Sequence, residues 1–138
     1  MARRDAVIDS SIIIQHARTR DQQQSLFLRA LLHYNPHLNA ISIYEIELGA
    51  FRAGRLSDIA ALQIDFIILP FTEAVARRAA MLDADLIRQN LHIGIKDSFI
   101  AATCLVHDLP LLSVNVRHFD RIEGLQLVDP KSLPRLEK

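Results

Sequence analysis

The order of apolar segments along this chain predicts an α/β fold with a mostly parallel sheet. Three observations carry that expectation. Short, mostly apolar runs of strand length recur at residues 6–8, 66–69, 111–114 and 125–128. Longer stretches of helical character separate them, the alternation expected when helices cross over between parallel strands. The 138 residues are half hydrophobic, enough for one buried core, so a single domain over 1–138 is expected.

Each element has a local reason. Residues 6–8 (Ala-Val-Ile) read as a buried strand, and Asp9-Ser10-Ser11 as the cap of the helix that follows. Residues 21–34 read as a helix that packs through Leu26, Leu28, Leu31 and Leu32, and 38–41 as a short strand. Ser42 and Glu45 have the spacing of a capping box, so a helix is expected over 42–53. A short helix is expected over 57–63 and a strand over 66–69. Thr72 is placed to cap a long helix reaching residue 90. Residues 96–107 form another helix, with Ile95, Phe99, Ala102 and Val106 on one stripe. Strands at 111–114 and 125–128 close the pattern.

Composition excludes several classes. Sixteen basic and sixteen acidic residues cancel, which argues against a surface that grips nucleic acid all over; a basic rim around an acidic pocket stays compatible. Cys104 is the single cysteine, so no disulfide forms within the chain, and a reducing, cytoplasmic setting is expected. No run approaches the roughly 18 apolar residues of a membrane span, and no signal peptide is recognised. A zinc site is not expected: of the six histidines only His33 and His37 are spaced i, i+4, the Asn35-Pro36 turn separates them, and no cysteine partner stands near. Asp83 and Asp85 diverge on a helix and read as solvated surface. Glycine-rich phosphate loops, nucleophile elbows and dinucleotide fingerprints are absent from the sequence.

Four residues at the edges of apolar elements carry oxygen ligands. In open parallel sheets ligands bind beyond the carboxyl ends of the strands. Asp9 and Asn115 follow strands directly, while Glu45 and Asp97 stand in the first turns of helices that can face the same crevice. Each has an ordinary alternative. Asp9 can cap its helix, but Ser10 and Ser11 can do so equally. Glu45 can complete the capping box, though Gly49 one turn on, at a cost of about 1 kcal/mol to a helix, suggests that something approaches closely there. Asp97 can satisfy the helix dipole, with Gly94 allowing a tight turn before it, and Asn115 can be a turn residue. Clustered oxygens suit a hard divalent cation.

These segments resemble the PIN-domain ribonucleases, in particular the VapC-type toxins of prokaryotic toxin–antitoxin pairs. The likeness runs from about Val7 to Pro130. Ile8-Asp9-Ser10-Ser11 is similar to the family's opening element, and Ser42-x-x-Glu45-x-x-x-Gly49 to its second. Ile93-Gly94-x-x-Asp97-x-x-Ile100-Ala101-Ala102 is the most specific match, and Leu112-Ser113-x-Asn115-x-x-x-Phe119 is similar to the closing segment. Ser11 stands where many members carry Asn, Ser113 where Thr is usual, and Asn115 at the fourth acidic position.

The resemblance implies a three-layer α/β/α sandwich with a mostly parallel five-strand sheet. It implies an Mg²⁺- or Mn²⁺-dependent endoribonuclease, with Asp9, Glu45 and Asp97 as metal ligands and Asn115 orienting a bound water. Ser10 and Ser113 are expected to support the ligands, and Arg117, Lys96, Arg3 and Arg4 to contact substrate backbone. A single-stranded RNA loop, as in tRNA or rRNA, is the expected target. The expected partners are a VapB-like antitoxin and a second copy of the chain; Ile12, Ile13, Ile14 and the helix from Tyr44 to Phe51 are either core or such a surface. A metal-dependent DNA or flap nuclease and a non-catalytic PIN-like binding subunit are the rival readings. A phosphoryl-accepting receiver domain is more distant, because only Asp9 follows the first strand.

Overall fold

The computed structural model describes residues 2–55 and 66–135; the helix expected over 57–63 lies outside them. Five parallel strands form one sheet: β1 (Arg4–Ile8), β2 (Tyr34–Asn39), β3 (Ile67–Leu69), β4 (Leu111–Leu112) and β5 (Leu127–Val128). Their order is β3-β2-β1-β4-β5, which puts β1 at the centre. Six α-helices are described: α1 (Ser10–Arg18), α2 (Leu26–His33), α3 (Ala40–Ala53), α4 (Glu73–Arg88), α5 (Ile95–His107) and α6 (Val116–Phe119).

Successive side chains on a strand point to opposite faces, and two cores result. Ala6, Ile8, Leu38 and Leu112 pack with Ile12 and Ile13 of α1, Phe27 and Ala30 of α2, and Ile46 of α3. Val7, Leu69 and Leu111 pack on the other face with Leu82 and Leu86 of α4 and Ile100, Ala101 and Cys104 of α5. The molecule is the expected three-layer sandwich. No helix among the described residues is long and apolar enough to cross a membrane.

Several local expectations need correction. The helix expected over 21–34 is a 3₁₀ turn (Gln22–Gln24) followed by α2, because Ser25 caps at that point by accepting from the Leu28 N–H. Phe27 and Ala30 take the fully buried positions, and Leu32 is exposed. β2 begins at Tyr34, four residues early. Pro36 is tolerated there because it stands opposite Ala6 of β1, one residue before the pairing with β3 begins at His37. The capping box is displaced: Asn39 caps α3 by accepting from the Ile41 N–H, which leaves Ser42 inside the helix and fully buried. On α5 the stripe holds only at its centre, where Ala102 and Phe99 pack against α4. Ile95 is 58% exposed and Val106 partly exposed, whereas Ile100, Ala101 and Cys104 meet the sheet. β4 and β5 have two residues each.

Candidate active site

Asp9 ends the central strand and takes the N-cap position of α1, but its side chain makes no capping hydrogen bond. Two hydroxyls hold it instead. Ser11 Oγ donates to Oδ2 at 2.7 Å and Ser113 Oγ donates to the same oxygen at 2.8 Å. Ser113 reaches it because β4 runs beside β1, with Ile8 in register with Leu112. Asp9 is only 5% exposed. Burial pushes its carboxyl above the ordinary carboxylate range and the charge of Asp97 adds to this, while the two hydroxyls pull the other way.

Glu45 stands in the second turn of α3, where Ser10 Oγ approaches its Oε1 at 3.4 Å. Its carboxyl is also raised, first by partial burial, then by the charge of Asp9, with Lys96 opposing and Asp97 reinforcing. The three carboxylates thus lie within electrostatic reach of one another, although 88 residues separate the first from the last. Ser10 and Ser113 both serve the cluster, and Ser11, not singled out beforehand, joins them.

Asp97 opens the first turn of α5 after Gly94, whose φ of +101° is open to glycine and strained for other residues. Its Oδ2 lies 3.1 Å from Nδ1 of His118, and that nitrogen lies 3.0 Å from Nδ2 of Asn115. With the proton on Nδ1 the ring donates to Asp97; with Nδ1 bare it accepts from the Asn115 amide. His118 went unrecognised in the sequence, set aside for want of a zinc pattern. Its signal was the i+3 spacing from Asn115, which places both on one face of α6.

The predicted basic contacts divide. Lys96 is exposed beside the cluster, its Nζ 5.6 Å from the Tyr44 ring centre. Arg117 is exposed on α6. Arg3 and Arg4 are not brought to this crevice. Arg4 starts β1 and Arg3 precedes it, so they stand five and six residues, at least about 16 Å at the usual strand rise, from Asp9. There Arg3 donates to the Leu31 carbonyl and Arg4 lies over the Tyr34 ring.

Other features also settle. A Cβ at Gly49 would meet nothing within 4 Å, so no close approach within the chain explains that glycine. Asp85 is exposed and pairs with Arg88, as expected of surface. Asp83 is not free surface: Ser98 Oγ donates to it, which ties α4 to the start of α5. Ile12 and Ile13 are core, whereas Tyr44 (56% exposed), Leu48 and Phe51 (65% exposed) form an outward stripe on α3.

The donor set was weighed against a divalent cation. Among the described residues no three His, Cys, Asp or Glu side chains close into a metal-holding group. That does not conflict with Mg²⁺, which keeps several waters and takes one or two carboxylates plus substrate phosphate oxygens. Buried carboxylates that raise one another's proton affinity suit such an ion, because positive charge relieves both burial and repulsion. The hard oxygen set fits the group.

Comparison with known proteins shows the family. The PIN domain family model matches residues 6–125. Ribonuclease VapC10 of Mycobacterium tuberculosis is 31% identical over 128 residues, covering 93% of this chain and 94% of its own length. Ribonuclease VapC1 of Rickettsia felis is 31% identical over 135 residues, covering 91% and 96%. Among solved structures, DNA-bound VapBC from Salmonella typhimurium shares the fold with a TM-score of 0.79 at 20% identity, over 92% of this chain and 98% of that one. VapBC-1 from nontypeable Haemophilus influenzae aligns with a TM-score of 0.75 at 25% identity, over 92% and 98%. The chain belongs to the PIN-domain family, in its VapC branch.

Proposed function

We propose that this protein is a divalent-metal-dependent endoribonuclease and the toxin half of a VapBC-type pair, with Asp9, Glu45 and Asp97 as its metal-holding carboxylates. The observation that carries this is the convergence of the three at the carboxyl ends of the strands, with Asp9 buried and short of counter-charge. The names of the relatives support RNA as the substrate.

When bound, Mg²⁺ or Mn²⁺ supplies Lewis acidity at a phosphate oxygen and lowers the pKa of a nearby water. The chain's own groups prepare the crevice. Ser11 and Ser113 fix one oxygen of Asp9. Ser10 steadies Glu45, and His118 with Asn115 steadies Asp97. In the net hydrolysis, water oxygen bonds to phosphorus, the bond from phosphorus to the leaving ribose oxygen breaks, and a proton ends on that oxygen. Lys96 and Arg117 stand beside the crevice as backbone contacts.

The outward stripe of Tyr44, Leu48 and Phe51 lies on the helix that carries Glu45. It supports a VapB-like antitoxin that covers the crevice, and a second copy of the chain competes for such a surface. Both partners and the RNA would be met in the cytoplasm.

The test is cleavage of total cellular RNA by purified protein with Mg²⁺ or Mn²⁺, beside Asp9→Asn, Asp97→Asn and an EDTA control. Cleavage that falls at least about 100-fold in both variants, and stops in EDTA, is expected. Equal RNA cleavage by wild type and variants would place the chemistry elsewhere. Cleavage of matched single-stranded or flap DNA but not RNA would favour the DNA reading. Inactivity without any divalent binding would favour a binding subunit.

A further inference from the structure

We propose that the outer flank of α2 is a phosphate-binding track, centred on Arg29, Lys131 and Arg135, that holds substrate backbone outside the acidic crevice. The proposal rests on the nucleic-acid reading of that crevice and assigns it a second contact.

A cleft of about 510 Å³ opens between α1, α2 and the segment after β5. Arg29 lines it and is 9% exposed, with a buried Nε that has no hydrogen-bond partner. A buried guanidinium without a partner is costly, and the usual remedy is a carboxylate or phosphate. Among the described residues no acidic side chain lines this cleft. The cleft's other charged residues are Lys131 and Arg135, both exposed at its mouth. The carboxylate adjacent in sequence, Asp129, is engaged by the Lys131 backbone N–H. Gln15 also lines the cleft; its Oε1 already accepts from the Leu26 N–H, so its amide has donors left to offer.

One helical turn along α2 the pattern repeats. His33 has a buried Nε2 without a hydrogen-bond partner. It lines a second cleft of about 460 Å³ with Arg3 and Arg4, again with no acidic residue among the described lining residues. Leu133 lines both clefts, so the two lie side by side along α2 as one donor-rich trough interrupted by that side chain. The near end of this trough is close to the crevice, because Gln15 lies one turn of α1, about 6 Å, beyond Ser11, which donates to Asp9.

The chemistry selects the ligand. Cationic side chains and a spare amide present donors over an extended surface. A phosphodiester backbone offers acceptors and repeated negative charge, and needs no acceptor in return. An acidic peptide would bring backbone N–H groups that this donor-rich trough leaves poorly matched. In a chain of zero net charge, clefts whose charged lining is basic throughout the described residues are also a local field that attracts polyanions.

The test uses the full chain carrying Asp97→Asn, so that binding is read without cleavage. The probe is a fluorescent 20-nucleotide single-stranded RNA, titrated at several salt concentrations. Adding Lys131→Glu with Arg135→Glu, both at exposed positions, is expected to weaken binding at least about 10-fold. The slope of log affinity against log salt is expected to fall by about 1.4, two contacts at roughly 0.7 each. Arg29→Gln, with its thermal transition intact, is expected to weaken binding in the same direction. The double reversal in the otherwise unmodified chain is expected to cleave a trinucleotide as the parent does.

Unchanged affinity and slope in the folded charge-reversed protein would overturn the track. So would equal competition by polyglutamate of matched charge, which would mark a general anion surface. Absence of RNA binding to the Asp97→Asn chain would overturn it too. Cleavage of total RNA by the unmodified chain would then leave the crevice reading standing by itself.

Discussion

Ser113 donates a 2.8 Å hydrogen bond to Asp9 across 104 residues of sequence. It joins the ends of β4 and β1, and the same oxygen accepts from the Asn115 N–H at 3.0 Å. One hydroxyl therefore orients the buried carboxylate and the turn that carries Asn115 and His118. Ser113→Ala removes both bonds and leaves the Asn115 N–H without this acceptor. A loss of about 1–3 kcal/mol is expected, read by denaturant unfolding in EDTA. Divalent affinity is expected to fall as well, because Asp9 loses one of its two hydroxyl donors. A variant as stable as the parent, with the same affinity, would show that Ser11 suffices.

The buried charge of Asp9 sets a pH dependence. Its carboxyl is held above its ordinary value in the fold, mainly by burial. Below the unfolded carboxylate pKa, about 3.9, both states are protonated and the associated stability is fully present. As pH rises, the unfolded chain releases its proton first, and stability is lost until pH passes the folded value. Glu45 acts in the same direction. Without divalent ion, Asp9→Asn is therefore expected to be more stable than wild type at pH 7–8, with the gap closing toward pH 4. Thermal melts of the two proteins in EDTA across that range measure the gap. A gap independent of pH would mean that Asp9 titrates in the fold as it does in the unfolded chain.

His118 touches Asp97 and Asn115 without lining either core. His118→Ala is expected to leave unfolding in EDTA little changed and to weaken Mn²⁺ binding by about 10–100-fold, the usual cost of removing a group that orients a metal-holding carboxylate. Electron paramagnetic resonance of free Mn²⁺ reads this without an activity assay. His118→Asn, which keeps a donor on a shorter side chain, is expected to recover part of the loss. Identical Mn²⁺ affinity in all three proteins would remove His118 from the site.

The two ends of the misplaced cap offer a stability contrast. Asn39 accepts from the Ile41 N–H and donates to Thr103, whereas the Ser42 hydroxyl is buried without a hydrogen-bond partner. Asn39→Ala is expected to cost about 1–3 kcal/mol. Ser42→Ala is expected to be neutral or slightly stabilising, since it removes an unsatisfied polar group. Urea unfolding of both variants decides; a large loss at Ser42 would return the cap to that residue.

The fold class and three of the carboxylates were legible in the sequence because both depend on local order. Apolar runs such as 6–8 and 66–69 read as strands, although in β3 only Leu69 is buried, and Asp9, directly after the first run, must stand at the sheet's carboxyl edge. Boundaries were less legible. Ser42 and Asn39 are both good caps, and the choice between them depended on Asn39 also reaching Thr103 of α5. On α5 the expected stripe holds only at its centre, where Ala102 and Phe99 pack against α4; Ile95 and Val106 at its ends look like core residues locally yet are exposed, while Ile100, Ala101 and Cys104 meet the sheet.

Tertiary structure alone decided the rest. His118 reaches Asp97 through the packing of α5 beside α6, and Ser113 reaches Asp9 through the parallel register of β1 with β4. Arg3 and Arg4 were removed from the crevice for the converse reason: a strand has two ends, and they stand at the one away from Asp9. By itself the sequence determined which residues seek burial and which oxygens end its strands, since hydrophobicity and covalent order are local properties. Which charges share a field, and which guanidinium is buried without an acid, depend on pairwise distance, and folding alone assigns that.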